Sequence, residues 1–176
     1  MKLENSIETP RLIIRAYEKS DLGFCLSLWC DKENGYYMAD PAIENADERY
    51  LSLVEAMADE KDGLYLIAQL KGSDTRVGTC CAFPEGGSCD IGYCVRRDLW
   101  RQGYGGEIVE ALIGLAAANG MTSVTAEAAD DNAASVALLK KFGFRADRIT
   151  RYKKRGEETY FDAHVYVLAL GKNIGG

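Results

Sequence analysis

Residue types suited to chemistry concentrate between Cys89 and Gly106, where a β-branched run leads through three arginines into a glycine-rich turn. The arginines and glycines are Arg96, Arg97, Arg101, Gly103, Gly105 and Gly106. A long apolar-periodic segment follows, so the stretch predicts strand, turn and helix. The first amides of a helix lack intrahelical acceptors, and the helix dipole places about half a positive charge there. The junction therefore predicts an anion site, with a purely structural tight turn as the alternative.

The glycine spacing excludes two common phosphate-binding motifs. No Gly-Lys-Ser or Gly-Lys-Thr follows the glycines, as the nucleotide hydrolases require, and the spacing does not match GxGxxG. The anion site predicted here is thus of another kind.

The composition limits the classes of protein to consider. The chain has 176 residues, is 47% hydrophobic and carries a formal net charge of -6, which predicts one domain over residues 1–176 with a frayed tail at 171–176. No apolar run approaches the roughly 20 residues that span a bilayer. We expect a cytoplasmic protein, a monomer or homodimer, with no membrane or nucleic-acid partner, because an acidic chain without a basic stripe suits cationic ligands better.

The cysteine pattern does not predict a metal site. Six cysteines are present without paired CxxC spacings, and His164 is the sole histidine. We expect reduced, mostly buried thiols and no metal.

Apolar periodicity predicts seven strands and four helices around the glycine turn. The strands are expected at 11–15, 64–68, 76–82, 89–95, 124–128, 148–153 and 159–170. The helices are expected from Ser20-Asp21 to Cys30, over 47–59, from the glycine turn to Asn119-Gly120, and over 132–142. Strands 64–68 and 76–82 are predicted to form an antiparallel hairpin, as are the last two. The helix after the turn should return the chain as a strand parallel to the central one.

Three blocks of residues together resemble the GNAT acyltransferase superfamily, and most closely its ribosomal-protein N-terminal acetyltransferase-like, or Rim-type, branch. The first block, residues 10–15, is similar to that branch's opening RLxLR strand. Residues 90–93 and 100–107 are similar to its EIGY and WGxGYxxE signature. Residues 132–135 and 141–144 are similar to its NxxS and KxGF block. The resemblance covers nearly the whole chain and implies a GNAT-like α+β domain with a mixed, mostly antiparallel central sheet.

The resemblance also implies acetyl-CoA as cosubstrate and assigns residues to it. The amides of Gln102 to Gly106 would hold the pyrophosphate, beside Arg101, and the backbone of Cys94 and Val95 would pair with the pantetheine arm. Asn132 and Ser135 would face the thioester end. The full implied cofactor set is Cys94, Val95, Arg101, Gln102, Gly103, Tyr104, Gly105, Gly106, Asn132 and Ser135. Trp100 departs from the Arg or Gln that usually opens this loop.

The implied reaction is direct acetyl transfer to an amine, for which a base and an acid must be assigned. Asp90 stands where some relatives carry a glutamate base, and Glu127 is the second candidate. Each has a structural alternative; for Asp90 it is pairing with a nearby arginine. Many relatives carry a tyrosine acid where this chain has Leu139, so Ser135 is the replacement that the Rim-type branch suggests. Its alternative is a hydrogen bond to a preceding carbonyl of its own helix.

The acceptor stays open between an N-terminal α-amine and a small-molecule amine. An α-amine is roughly 10 to 20% neutral at pH 7, whereas a lysine amine is below about 0.1% neutral, which favours either of the first two over lysine. The segment 31–45 and the closing hairpin are expected to shape the acceptor site. A non-catalytic acyl-CoA sensor is the alternative function, because Leu139 and the short Asp90 side chain weaken the catalytic set.

Overall fold

A computed structural model describes residues 1–3 and 5–171. The expected fraying of the tail concerns residues 171–176 and falls, apart from residue 171, outside the described residues.

One sheet of eight strands organises the described chain, in the order β1-β2-β3-β4-β5-β6-β8-β7. The strands are β1 (Ile7–Glu8), β2 (Leu12–Ala16), β3 (Leu64–Leu70), β4 (Arg76–Glu85), β5 (Ser88–Val95), β6 (Ser123–Ala129), β7 (Arg145–Lys153) and β8 (Tyr160–Ala169). All neighbours are antiparallel except β5 and β6. The predicted mixed, mostly antiparallel sheet is confirmed, and its eighth strand is the two-residue β1, which is too short to give a sequence pattern.

The parallel pair β5 and β6 separates after three residues. Ser88 to Asp90 pair with Ser123 to Thr125, and the pairing stops there although both strands continue. Beyond that point β4 still pairs with β5, and β8 still pairs with β6. The sheet is therefore held together on both sides of an opening, which we call the β5–β6 gap. Its apex is the Asp90–Thr125 pair.

Four α-helices cover the two faces of the sheet: α1 (Leu22–Trp29), α2 (Glu48–Ala56), α3 (Tyr104–Ala118) and α4 (Ala133–Lys141). Each face of the sheet carries a hydrophobic core, and successive residues of β3 point into opposite cores. Leu66 packs with Ile108 of α3 and Leu139 of α4 in one core, whereas Ile67 packs with Val54 of α2 in the other. The predicted four helices are confirmed. No helix of the described residues is long and apolar enough to span a bilayer.

One local expectation about capping, an N-cap at Ser20-Asp21, needs correction. Asp21 occupies the N-cap position of α1, but its carboxylate makes no cap hydrogen bond to that helix. It is fully buried instead, with ion pairs to Arg15 (2.7 Å) and Arg76 (2.6 Å). The guanidinium groups of Arg15 on β2 and Arg76 on β4 hold this carboxylate, which also accepts a hydrogen bond from Glu18 N (3.0 Å) and none from the amides of α1. Helix α2 does have a side-chain cap, because Asp47 accepts a hydrogen bond from Tyr50 N.

All six cysteines are free, and all but Cys81 are buried. Burial raises the pKa of Cys81 to about 12, and the carboxylate of Asp90 adds to the effect. A thiol this hard to ionise does not serve as a nucleophile at neutral pH.

Candidate active site

The apex of the β5–β6 gap carries a carboxylate. Asp90 Oδ1 accepts a hydrogen bond from Thr125 Oγ1 (2.8 Å) across the last paired position of the two strands. Burial by neighbouring atoms raises the pKa of Asp90, and the nearby Glu127 carboxylate raises it further, whereas the bond from Thr125 opposes them. Asp90 forms no ion pair in the described part of the chain, and Arg148 pairs with Asp147 instead. The pairing with an arginine that the sequence left open for Asp90 is therefore not seen among the described residues.

The glycine turn lies between the end of β5 and the start of α3. Two residues of the turn have positive φ angles. Arg101 has φ 60°, and Gly103, the N-cap residue of α3, has φ 86°. The first hydrogen bond of the helix runs from Glu107 N to Gly103 O (3.2 Å). The amides of Tyr104, Gly105 and Gly106 precede that bond, so they are the orphan donors of the helix start. The turn has the geometry that the sequence predicted for an anion site.

Gly105 lies where the two helices of one face come close to β5. A Cβ placed on it would meet Leu138 Cδ2 of α4 at 3.3 Å and Val95 Cγ2 at 3.9 Å. The lack of a side chain therefore lets α4 and the end of β5 approach the first turn of α3.

A contact that the sequence did not predict connects the start of α3 to the segment between β1 and β2. The Glu107 carboxylate accepts hydrogen bonds from Arg11 N and Arg11 Nε (2.8 Å each) and from Thr9 Oγ1. Arg11 Nη1 also donates to Gln102 O (2.9 Å), and its guanidinium lies 4.2 Å from the centre of the Tyr104 ring. Burial alone would raise the pKa of Glu107, but the bonds from Thr9 and Arg11 lower it overall. No local sequence pattern indicates this contact, since Arg11 and Glu107 are 96 positions apart in the chain.

The two residues expected to pair with pantetheine differ in backbone direction. Arg96 N donates to Val77 O of β4 (2.9 Å). Bonded and non-bonded pairs alternate along an antiparallel ladder, so Cys94 directs its backbone toward β4, as Arg96 does. Tyr93 and Val95 direct theirs toward the β5–β6 gap. Val95, rather than Cys94, thus offers its backbone to a ligand in the gap.

Two side chains hold the carbonyl of Val95. Trp100 Nε1 donates to Val95 O (2.7 Å), and Asn34 Nδ2 lies within hydrogen-bond distance of the same oxygen (3.3 Å). Asn34 Oδ1 also accepts from Arg97 N (2.7 Å). Asn34 therefore ties the segment 31–45 to the strand end, a role that its sequence context did not indicate.

Residues of α4 meet β5 across the gap. Asn132 is the N-cap of α4, and its Oδ1 accepts from Ser135 N (3.2 Å). Ser135 Oγ lies 2.7 Å from the hydroxyl of Tyr93, which is on β5 beyond the last residue paired with β6. Ser135 therefore bonds across the gap rather than to its own helix. Tyr93 was not among the predicted site residues, although it belongs to the EIGY-like block.

The second candidate base is hydrogen-bonded to a residue two strands away in the sheet. Glu127 is on β6, two residues beyond the apex, and its carboxylate accepts a hydrogen bond from Thr150 of β7. His164 Nδ1 lies 2.6 Å from Asp130 Oδ1 at the end of β6. Leu139, where relatives carry a tyrosine, is fully buried. The structure thus separates Asp90 at the apex from Glu127 farther along the opening.

The segment 31–45 crosses from the end of β5 to the far side of the gap. Tyr37 OH donates to Asp131 O (3.1 Å) beside the start of α4, and Tyr152 OH donates to Tyr37 O (2.7 Å). The ammonium of Lys154, only 6% exposed, donates to Gly35 O (2.8 Å) and, at longer range, to two further carbonyls of the segment. These contacts hold the segment 31–45 against the closing hairpin.

Taken together, the sheet opens between two separating parallel strands, with a carboxylate at the apex of the opening and the start of a helix at its outer end. Residues 11–145 match the acetyltransferase (GNAT) domain family, and the chain belongs to that family. It is therefore an acyltransferase, and the family's cosubstrate is acetyl-CoA.

Relatives extend the comparison over nearly the whole chain. An uncharacterised N-acetyltransferase, p20 from Bacillus licheniformis, is 25% identical over 97% of this chain and 99% of its own. A putative ribosomal-protein-serine acetyltransferase from Vibrio cholerae has TM-score 0.74 at 17% identity and covers 97% of this chain and 100% of its own. A Vibrio cholerae spermidine N-acetyltransferase, solved with CoA and spermine, has TM-score 0.76 at 14% identity over 92% and 96%. The structural likenesses establish the fold and are consistent with the Rim-type resemblance.

Proposed function

We propose that this protein transfers an acetyl group from acetyl-CoA to a primary amine, which is a protein N-terminal α-amine or a small-molecule amine. One observation carries the proposal: the β5–β6 gap has a carboxylate at its apex and the free amides of a helix start at its outer end. The first feature accepts a proton from an amine, and the second binds a phosphate anion.

The cofactor residues are assigned from the hydrogen-bonding groups that border the β5–β6 gap. The amides from Gln102 to Gly106 hold the pyrophosphate, with Arg101 as added positive charge. Val95 offers its backbone to the pantetheine arm, which requires its carbonyl to exchange the bonds from Trp100 and Asn34 for bonds to the ligand. Gly105 supports this fit, because its missing side chain lets α4 and the end of β5 pack against the first turn of α3.

Asn132 and Ser135 are assigned to the thioester end. Both lie in the cap and first turn of α4, and the Ser135 hydroxyl points across the gap to β5. We assign Ser135 as the hydrogen-bond donor that stabilises the departing sulfur.

Asp90 is the proposed general base. A protonated amine does not attack a carbonyl, so the acceptor must lose a proton before or during the reaction. The raised pKa of Asp90 makes its carboxylate a stronger base than an ordinary aspartate. An aspartate reaches less far than a glutamate, which a water molecule between the carboxylate and the amine would compensate. Glu127 remains the second candidate.

The charge at the inner end of the gap suits a cationic acceptor. Asp90 of β5 pairs with Thr125 of β6, and Glu127 lies two residues farther along β6. Burial raises the pKa of Asp90, and repulsion by the Glu127 carboxylate raises it further. A protonated amine relieves that repulsion as it approaches. This supports amine acceptors in general and does not choose between peptide and polyamine.

Turnover with a panel of amines tests the proposed function. Thiol release from acetyl-CoA would be followed with N-terminal peptides, polyamines, aminoglycosides and amino acids as acceptors. Turnover with one class supports the proposal and identifies the acceptor. Binding of acetyl-CoA without acetylation of any amine would support the sensor function instead, and an absence of binding would reject both.

Asp90→Asn tests the base, with Glu127→Gln as its matched control. The first change should lower the rate most where the acceptor is protonated, so the rate should rise more steeply with pH below the acceptor's pKa. The second should leave that pH profile in place. A parental profile for Asp90→Asn together with a steepened one for Glu127→Gln would transfer the assignment to Glu127.

A further inference from the structure

The pair of hydroxyls formed by Tyr93 and Ser135 spans the β5–β6 gap. Tyr93 is on the part of β5 that has left β6, and Ser135 is in the first turn of the helix that follows β6. Their oxygens are 2.7 Å apart, although 42 residues separate them in the chain. Both side chains are partly buried.

Two hydroxyls that share one hydrogen bond keep one hydrogen free. A phenol is a better donor than an aliphatic alcohol because it is the stronger acid, with a pKa near 10 in water. Tyr93 O–H is therefore the favoured donor in the shared bond, and Ser135 Oγ its acceptor. That leaves the hydrogen of Ser135 to point away from Tyr93.

A serine in the first turn of a helix has a competing arrangement. Its hydroxyl commonly donates to a carbonyl one turn earlier, where its hydrogen is not available to a ligand. The bond to Tyr93 replaces that arrangement and fixes the hydroxyl at the opening. Leu139 brings no alternative donor, since it is apolar and fully buried.

We propose that Tyr93 is a positioning residue, whose hydroxyl orients Ser135 so that Ser135 donates its hydrogen bond to the sulfur that leaves acetyl-CoA. The proposal rests on the proposed acetyl transfer. Tyr93 itself makes no bond to the reacting atoms. Its effect reaches the reaction through Ser135 alone, and this dependence can be measured.

A double-mutant cycle on kcat tests the dependence. Tyr93→Phe removes one oxygen and keeps the ring, so we expect kcat to fall roughly 5- to 10-fold, as the loss of one hydrogen bond predicts, with the KM for acetyl-CoA within about 2-fold of the parent's. Ser135→Ala should lower kcat at least as far. Adding Tyr93→Phe to Ser135→Ala should then change kcat by less than about 2-fold, because interacting residues are not additive.

Tyr17→Phe is the matched control. The Tyr17 hydroxyl is buried and has no hydrogen-bond partner among the described residues, and Tyr17 packs with α1 and α2 on the opposite face of the sheet. Its removal should leave kcat at the parental value. If Tyr93→Phe lowers kcat by the same factor whether residue 135 is serine or alanine, Tyr93 supports the fold and the proposal is overturned. A parental kcat in Tyr93→Phe would also overturn it.

A fluorinated tyrosine at position 93 gives a second test that does not depend on a missing oxygen. A polyfluorinated tyrosine ionises at much lower pH, and its phenolate cannot donate to Ser135. The alkaline decline of kcat should therefore move to lower pH in step with the phenol, and an unchanged pH profile would overturn the proposal. If the unmodified protein acetylates no amine, the proposed function fails first; if it does and these variants behave as the parent, only the positioning role fails.

Discussion

Replacement of Gly105 by valine should weaken acetyl-CoA binding without unfolding the protein. A Cβ at this position would meet Leu138 Cδ2 at 3.3 Å, a distance that a small shift of one flexible side chain relieves. The two methyl groups of valine add contacts with Leu138 and with Val95, which lies 3.9 Å from the same Cβ position. Because α4 and β5 both press on this point, the first turn of α3 must move outward.

The expected size of the effect follows from the amides that move. Hydrogen bonds from backbone amides to a charged group contribute roughly 1.5–3 kcal/mol each. Misplacing one of them would weaken binding by about 10- to 150-fold, since about 1.4 kcal/mol corresponds to a factor of ten. Gly105→Ala should show a much smaller loss, because Leu138 has only one methyl group to accommodate.

Gly114→Val is the matched control for general effects of valine in this helix. Gly114 is in α3 as well, and a Cβ there would meet no atom within 4 Å. Calorimetric titration with acetyl-CoA would give the Kd of each variant, and thermal unfolding would verify that each is folded. The reasoning is refuted if folded Gly105→Val binds acetyl-CoA within about 2-fold of Gly114→Val.

Three further changes test other parts of the site. Lys154→Met should lower the free energy of unfolding by roughly 1–3 kcal/mol, because it leaves buried carbonyls of the segment 31–45 without their hydrogen-bond donor. Denaturant unfolding at the parental midpoint would contradict this. Glu107→Gln should lower the Tm at pH 7 and flatten the loss of stability on acidification. The folded-state pKa of Glu107 is lowered, so its stabilising effect is present above about pH 4.3 and is lost as pH falls through that lowered pKa; an acid profile identical to the parent's would reject the link to Arg11. Acetyl-CoA should change the fluorescence of the half-exposed Trp100. In Trp100→Phe that change should disappear, while the buried Trp29 still emits. An equally large fluorescence change in the variant would show that acetyl-CoA binds elsewhere.

Local patterns predicted the elements around the site well. The strand, glycine turn and helix at 88–118 have strong signals, because a β-branched run, glycines and a 3.6-residue period each act within a few neighbours. The helix stop at Asn119-Gly120 is confirmed for the same reason, with Asn119 as the C-cap residue. The parallel direction of β6 followed from the right-handed crossover of the intervening helix.

Contacts between distant parts of the chain escaped the sequence analysis. Arg11 and Glu107 both fit solvent-exposed positions of their own elements, and only the closed sheet brings them together. Tyr93 looked like an ordinary strand residue for the same reason, because its partner Ser135 lies on another helix. Asp21 had the local features of a helix cap, yet Arg76, 55 residues away on β4, holds it together with Arg15. The pairing of side chains across the fold depends on register and on the opening of the sheet, which no window of a few residues contains.

The fate of a labelled acetyl group tests the central claim most directly. The protein would be incubated with acetyl-CoA carrying carbon-13 in the acetyl group and with equimolar N-terminal peptide and polyamine, and the products would be analysed by mass spectrometry. The account predicts that the label appears on an amine of one acceptor, at a rate that Gly105→Val and Asp90→Asn reduce and Gly114→Val does not. Label that remains on coenzyme A, or appears as free acetate at the same rate with and without acceptor, would contradict acetyl transfer at the β5–β6 gap.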